Sequence, residues 1–226
     1  MCGRFSQSLI GEAIAEAFQL VETPDWRPRY NIAPTQMIPA IVAAEGGDRQ
    51  FKSLRWGLIP SWAKDPAIGA KLINARSETV TEKPSFRSAF KQRRCLILAD
   101  GFYEWRKQSG KKQPFYFSLE NGSPFAFAGL WERWHDLEDG RLETCTILTT
   151  EANPIVAQAH DRMPVILNRD RYDRWLDLSQ PAESVQSLLR PYDDTLMTAY
   201  PVSSSVNSAR NDTPDCTTPL VEPIAN

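Results

Sequence analysis

Hydrophobic and polar positions change period along this chain. Between residues 9 and 19, Ile10, Ala13, Ile14, Ala17 and Phe18 recur at helical spacing while Glu12 and Glu16 fall on other faces, which predicts an amphipathic helix. A loop containing Pro and Arg follows from Thr23 to Thr35. Apolar runs at 37–43 and 51–56 predict strands separated by the turn Glu45-Gly46-Gly47-Asp48. Residues 57–76, rich in Pro, Gly and Trp, read as an ordered loop, and Pro84 sits near the first turn of a short helix around 84–92. Strand patterns then dominate, at 94–99, 101–106, 114–119, 124–131 and 142–150. Gly110, Asn121-Gly122 and Asp139-Gly140 mark the turns between them. Helices are predicted near 153–158, 169–177 and 182–190, and a last strand near 196–202 leads into a polar tail. No repeat and no dividing linker is visible. The pattern predicts the α+β class: one domain over 1–226 with its core in about 2–210, and a mostly antiparallel, barrel-like sheet flanked by short helices.

Composition adds little until its distribution is read. The 226 residues are 42% hydrophobic and 24% charged, ordinary for a globular protein. No apolar run approaches the ~18 residues of a membrane span, and Met1-Cys2-Gly3-Arg4-Phe5 lacks the pattern of a signal peptide. The expected location is therefore the cytoplasm. The net charge of −2 by itself argues against nucleic acid. Residues 49–112, however, hold 15 Lys/Arg against 5 Asp/Glu, and the rest of the chain 11 against 23. Such asymmetry can place a basic face on an acidic protein, or it can scatter over several solvated faces. Cys2, Cys95, Cys145 and Cys216 are widely spaced and suggest neither a metal site nor disulfides. Cys95 and Cys145 lie in apolar runs and read as packing residues.

Cys2 is set apart by its position. Removal of Met1, usual when residue 2 is small, leaves an amine and a thiol on adjacent carbons. Their reference pKa values, ~7.7–8.0 and ~8.5, give both a reactive fraction near neutrality. The amine can form a Schiff base with an aldehyde, and the thiol can then close a five-membered ring intramolecularly. Position alone favours an incidental cysteine. His160, in His160-Asp161-Arg162-Met163-Pro164, suits proton transfer, whereas His135 reads as a surface or structural histidine. Glu104 interrupts an aromatic strand. It is either an acid/base residue in a closed site or a solvent-facing position of an alternating strand. Asn74 can orient an amine or a sugar oxygen, or mark a turn. Arg4, Arg76 and Arg162 can make forked phosphate contacts, and Trp56 and Trp62 can stack on bases.

Six segments in order carry a resemblance. They are Met1-Cys2-Gly3-Arg4-Phe5, Arg29-Tyr30-Asn31-Ile32-Ala33-Pro34, Trp56-Gly57-Leu58-Ile59-Pro60, the run from Ile73 to Thr79, the run from Ala99 to Trp105, and His160 to Pro164. Together they resemble the SRAP family (SOS-response-associated peptidase), also called abasic-site processing proteins, over residues 1 to about 210. The resemblance implies a single SRAP domain that senses abasic sites in single-stranded DNA during the DNA damage response. Cys2 would form a thiazolidine DNA–protein crosslink. Asn74 would position the reacting groups, Glu104 would shuttle protons, and His160 would assist sugar ring opening. Arg4, Arg76 and Arg162 would hold phosphates. Some relatives carry two adjacent tryptophans where this chain has Trp62-Ala63, so Trp62 alone carries over as a base-stacking wedge. No cofactor or metal is implied, a monomer is the default, and weak lyase chemistry is expected from the Schiff base. Two other readings stay open. One is a cysteine-type peptidase or autopeptidase using Cys2, Glu104 and His160. The other is a reversible single-stranded DNA-binding module.

Overall fold

The structure, a computed structural model, describes residues 2–44, 46–108, 110–136 and 140–220. Glu45 and Asp139 of the expected turns, and the tail ending Pro223-Ile224-Ala225-Asn226, lie outside the described residues. The strands are β1 (Phe5–Gln7), β2 (Arg29–Ile32), β3 (Met37–Ala43), β4 (Arg49–Trp56), β5 (Asn74–Arg76), β6 (Arg94–Ala99), β7 (Gly101–Gln108), β8 (Lys111–Leu119), β9 (Phe125–Asp136), β10 (Gly140–Glu151), β11 (Arg162–Pro164), β12 (Ile166–Leu167) and β13 (Met197–Pro201). The helices are α1 (Gly11–Phe18), α2 (Arg87–Gln92), α3 (Pro154–Ala157), α4 (Tyr172–Leu176) and α5 (Ala182–Gln186). No helix among the described residues is long and apolar enough to cross a membrane.

Strand pairing closes a ring. β10 pairs β4, β4 pairs β3, β3 pairs β6, β6 pairs β9, and β9 returns to β10. Only the β4–β10 seam of this five-strand barrel is parallel. A second sheet runs β13-β8-β7-β1-β2. Alternation along the barrel strands sends Ile97, Phe127 and Ile147 into one cluster with Phe5, Phe102 and Phe117 of the second sheet. The intervening Leu96, Leu98, Ala128 and Leu148 pack with Phe18 of α1, Phe90 of α2 and Trp175 of α4. Every residue of β6 is buried for that reason. Each guanidinium nitrogen of its one cation, Arg94, donates to a carbonyl: Nε to Trp175, Nη1 to Phe90 and Nη2 to Asp177.

The α+β class and the barrel agree with the sequence pattern. Several short strands do not. β1 was not expected, β2 lies in the expected 23–35 loop, and β5 lies in the expected 57–76 loop together with a 3-10 turn over Pro66–Lys71. Each is held by distant partners rather than by its own pattern. The amides of Tyr30 and Asn31 in β2 donate to the carboxylate of Asp212 at 2.6 and 2.8 Å. β5 runs parallel to β10, with Asn74 opposite Ile147. In the 57–76 segment, Gly57 has φ +125°, and a Cβ there would sit 2.6 Å from the Gly69 carbonyl oxygen. The helices expected over 153–158 and 182–190 close early, at Ala157 and Gln186.

Candidate active site at the amino terminus

The second sheet brings the chain start to Glu104. Phe5 pairs with Phe102 and Ser6 with Gly101 in antiparallel register, and the Tyr103 amide donates to the Arg4 carbonyl at 2.9 Å. That register carries the segment before Phe5 back along Tyr103 and Glu104. A polar clamp fixes it. Asp100 accepts from the hydroxyls of Ser6 and Ser8 and from the Ser8 amide, and the Ser6 hydroxyl also meets the Tyr116 hydroxyl at 2.8 Å. Gly101 is required beneath that ring, because a Cβ there would approach the Tyr116 side chain to 2.1 Å.

Cys2 is fully buried, and its thiol leans on the Arg4 carbonyl at 3.9 Å. Burial, with the Glu104 carboxylate next in weight, pushes the thiol well above its ordinary range. Asn74 reaches it from β5, donating its Nδ2–H to the Cys2 carbonyl at 2.8 Å. The Asn74 Oδ1 is buried without a hydrogen-bond partner among the described residues. Glu104 is only 4% exposed, so the solvent-facing reading of this strand position fails. Burial raises its pKa to about 7, and the charge of the chain's amino terminus opposes that rise. His160 follows α3, which Asn153 caps by accepting the Val156 amide at 3.0 Å. Burial lowers the imidazole pKa, and the amino-terminal charge lowers it further. The neutral ring accepts the Arg162 amide at Nδ1 (3.0 Å), while a protonated ring can donate to Asp161, 2.8 Å away.

The expected DNA contacts divide. Arg76 is exposed at the end of β5, and Trp62 is 59% exposed. Arg162 pairs with Glu151, two residues along β10 from the Arg76 partner Thr149, and is engaged: its guanidinium forks onto Glu78 at 2.7 and 2.9 Å and reaches the Thr149 carbonyl at 2.7 Å. Arg4 turns inward, donating to Asn31 Oδ1 and the Val206 carbonyl at 2.8 Å each. Trp56 is fully buried with its indole N–H on the Ile73 carbonyl, so it cannot stack on a base. His135 is exposed and outside the site, and Cys95 and Cys145 are buried packing residues. Glu78, Asp161 and Asp100 were missed by sequence reasoning. Their place inside the motif segments was the available signal, but only contacts give them roles. No cluster of His, Cys, Asp and Glu among the described residues is arranged to hold a metal ion.

The arrangement therefore places a buried cysteine at the chain start within the field of a carboxyl whose pKa is about 7, with an amide gripping its backbone, while the imidazole of His160 feels the amino-terminal charge. A family model described as SOS response associated peptidase (SRAP) matches residues 1–209. The abasic site processing protein YoqW of Bacillus subtilis (strain 168) is 46% identical over 220 residues, covering 95% of this chain and 98% of that protein. The abasic site processing protein HMCES of Xenopus tropicalis is 33% identical over 266 residues, covering 98% of this chain and 79% of that protein. A crystal structure of a protein from Bacteroides thetaiotaomicron superposes with a TM-score of 0.87 at 27% identity, covering 97% of this chain and all of that one.

Proposed function

The chain belongs to the SRAP family, and we propose that it processes abasic sites in single-stranded DNA by closing a thiazolidine through Cys2. The observation that carries this reading is the Asn74 side chain on the Cys2 carbonyl, next to a carboxyl whose pKa is about 7. Removal of Met1 frees the Cys2 amine. The amine attacks the open-chain aldehyde of the abasic sugar, forming a C–N bond and a carbinolamine. Protonated Glu104 or His160 delivers a proton to the hydroxyl, which leaves as water. The Cys2 sulfur then adds to the imine carbon, and its proton passes through Glu104 to the nitrogen. The net change is aldehyde plus aminothiol giving ring plus water.

Each group suits its part. A carboxyl near pKa 7 holds both forms at neutral pH, as successive donation and acceptance require. The buried thiol stays neutral, so the amine acts first and the thiol follows as an intramolecular trap. The unpaired Asn74 Oδ1 offers an acceptor that can orient the freed amine. Arg76 supplies an exposed guanidinium for a phosphate. Arrest at the imine permits β-elimination, the source of the lyase activity in this reading.

A peptidase acting on other proteins fits less well. Cysteine peptidases need a thiolate at neutral pH. Here burial and Glu104 hold the thiol protonated, and its neighbour is a carbonyl rather than an imidazole. A blocked amino terminus separates the readings. Protein with an uncleavable extension before Cys2 should bind abasic DNA reversibly and form no crosslink. Crosslinking by that blocked protein would show that the amine is not the nucleophile.

A further inference from the structure

The excess of cations between residues 49 and 112 does not form one basic face. Arg49 pairs with Asp173, Lys52 with Glu143, and Arg93 with Glu132, while Arg94 is buried on carbonyls. Glu143 also draws in Arg133 and Arg141, so that surface cluster is partly neutralised. The cavity of about 570 Å³ bordering Glu78 is lined by Glu78, Glu151 and Glu183 against one cation, Arg190, a poor path for a polyanion.

The β7–β8 hairpin is different. Beyond the Glu104–Phe115 pair it carries Arg106, Lys107, Lys111 and Lys112, and residues 105–115 contain no acid. Lys107 lies directly opposite Lys112. Like charges facing each other across a strand pair cost stability, so nothing in the folding of the hairpin favours this pairing. The three lysines are exposed and enter no ion pair among the described residues. Arg106 stacks over Phe115 at 4.4 Å and, two residues beyond Glu104, shares its face of the strand. Lys107 and its partner Lys112 lie on the opposite face of the strand pair from Glu104, whereas Lys111, opposite Gln108, shares its face; along the strand Lys107 is three residues beyond Glu104, about 10 Å at ~3.3 Å per residue. That is within a few nucleotides of a captured sugar.

We propose that this hairpin is a phosphate-binding arm for the strand that flanks the captured abasic site. The inference rests on the proposed abasic-site chemistry and adds to it a contact region with its residues. The like-charge pair is the cost of concentrating positive field where the backbone passes, and bound phosphates relieve it.

The test uses the full chain lacking Met1 and an undamaged single-stranded oligonucleotide, with affinity read by fluorescence anisotropy across a salt series. Replacing Lys107, Lys111 and Lys112 together by Gln should flatten the slope of log K against log salt by about 2, from three contacts at ~0.7 each. Lys112→Glu should raise Tm, by removing the like-charge pair, while weakening DNA binding more than Lys112→Gln does. Salt-dependent binding by the unmodified protein that the triple variant reproduces overturns the arm alone. No DNA binding by the unmodified protein overturns the arm, and the proposed function falls with it if an abasic oligonucleotide also gives no crosslink. A crosslink formed without such binding would leave only the function standing.

Discussion

Asn74 donates its side-chain N–H to the backbone carbonyl of Cys2 at 2.8 Å, tying β5 of the barrel to the start of the chain. Asn74 is fixed by parallel pairing with Ile147, and Cys2 by the strand that follows it. The nucleophile is thus held between two sheets. Asn74→Ala removes both the grip on Cys2 and the free Oδ1 acceptor. Capture should slow by one to two orders of magnitude, whereas stability should fall by only about 1 kcal/mol for one lost hydrogen bond. Single-turnover kinetics beside a denaturant titration checks the separation; a large stability loss with unchanged kinetics would contradict it.

Glu104 has a pH signature. Its folded pKa of about 7 exceeds its ordinary value of 4.5, so the folded state binds the extra proton between those limits. Its contribution is fully present below pH 4.5 and is lost as pH rises through 7. At about 1.4 kcal/mol per unit, the loss is on the order of 3 kcal/mol. Glu104→Gln should remove this decline, so the variant gains relative stability as pH rises from 4.5 to 7, the interval between the ordinary and folded pKa values. The same substitution should flatten the pH dependence of capture and lower its rate. Thermal melts and capture rates over that window decide both points.

Arg4 and Arg76 should behave oppositely. Arg4 is bound to Asn31 and Val206, so Arg4→Ala should destabilise the fold, by about 2–3 kcal/mol if partner groups are left buried. Arg76 is exposed, so Arg76→Ala should leave Tm nearly unchanged and reduce the single-strand salt slope by ~0.7. Melting curves and salt titrations of the two variants expose any exchange of roles.

Much of this was legible in the sequence because periodicity reports burial. β3 and β6 have the expected limits, since each packs against apolar neighbours. β1, β2 and β5 were not legible: each is short, and its partners lie far away in sequence, such as Asp212 for β2 and Ile147 for Asn74. At the site, Cys2, Asn74, Glu104 and His160 could be named from motifs, but only tertiary structure gives Glu104 its burial. Arg4 and Trp56 show the reverse. A forked cation and a large ring suggest DNA, yet one is inward-facing and the other buried, because core positions also use these side chains.

Asp100 is a positioning residue in this account. It fixes β1 through Ser6 and Ser8 and so sets where Cys2 lies. Asp100→Asn keeps the size but gives up charge-assisted bonds worth about 1.5–3 kcal/mol each. Capture should slow while DNA affinity is retained, and hydrogen exchange should rise at the amides of β1. Unchanged exchange there would remove the clamp from the account.

The most direct test of covalent capture mixes the protein lacking Met1 with a single-stranded oligonucleotide bearing one abasic site and resolves it on a denaturing gel. Undamaged DNA and Cys2→Ala protein run beside it. A heat-stable shifted band is expected only with abasic DNA and intact Cys2, at a mass equal to protein plus DNA minus one water. Absence of that band, with a free amino-terminal cysteine confirmed by mass spectrometry, would contradict the central claim.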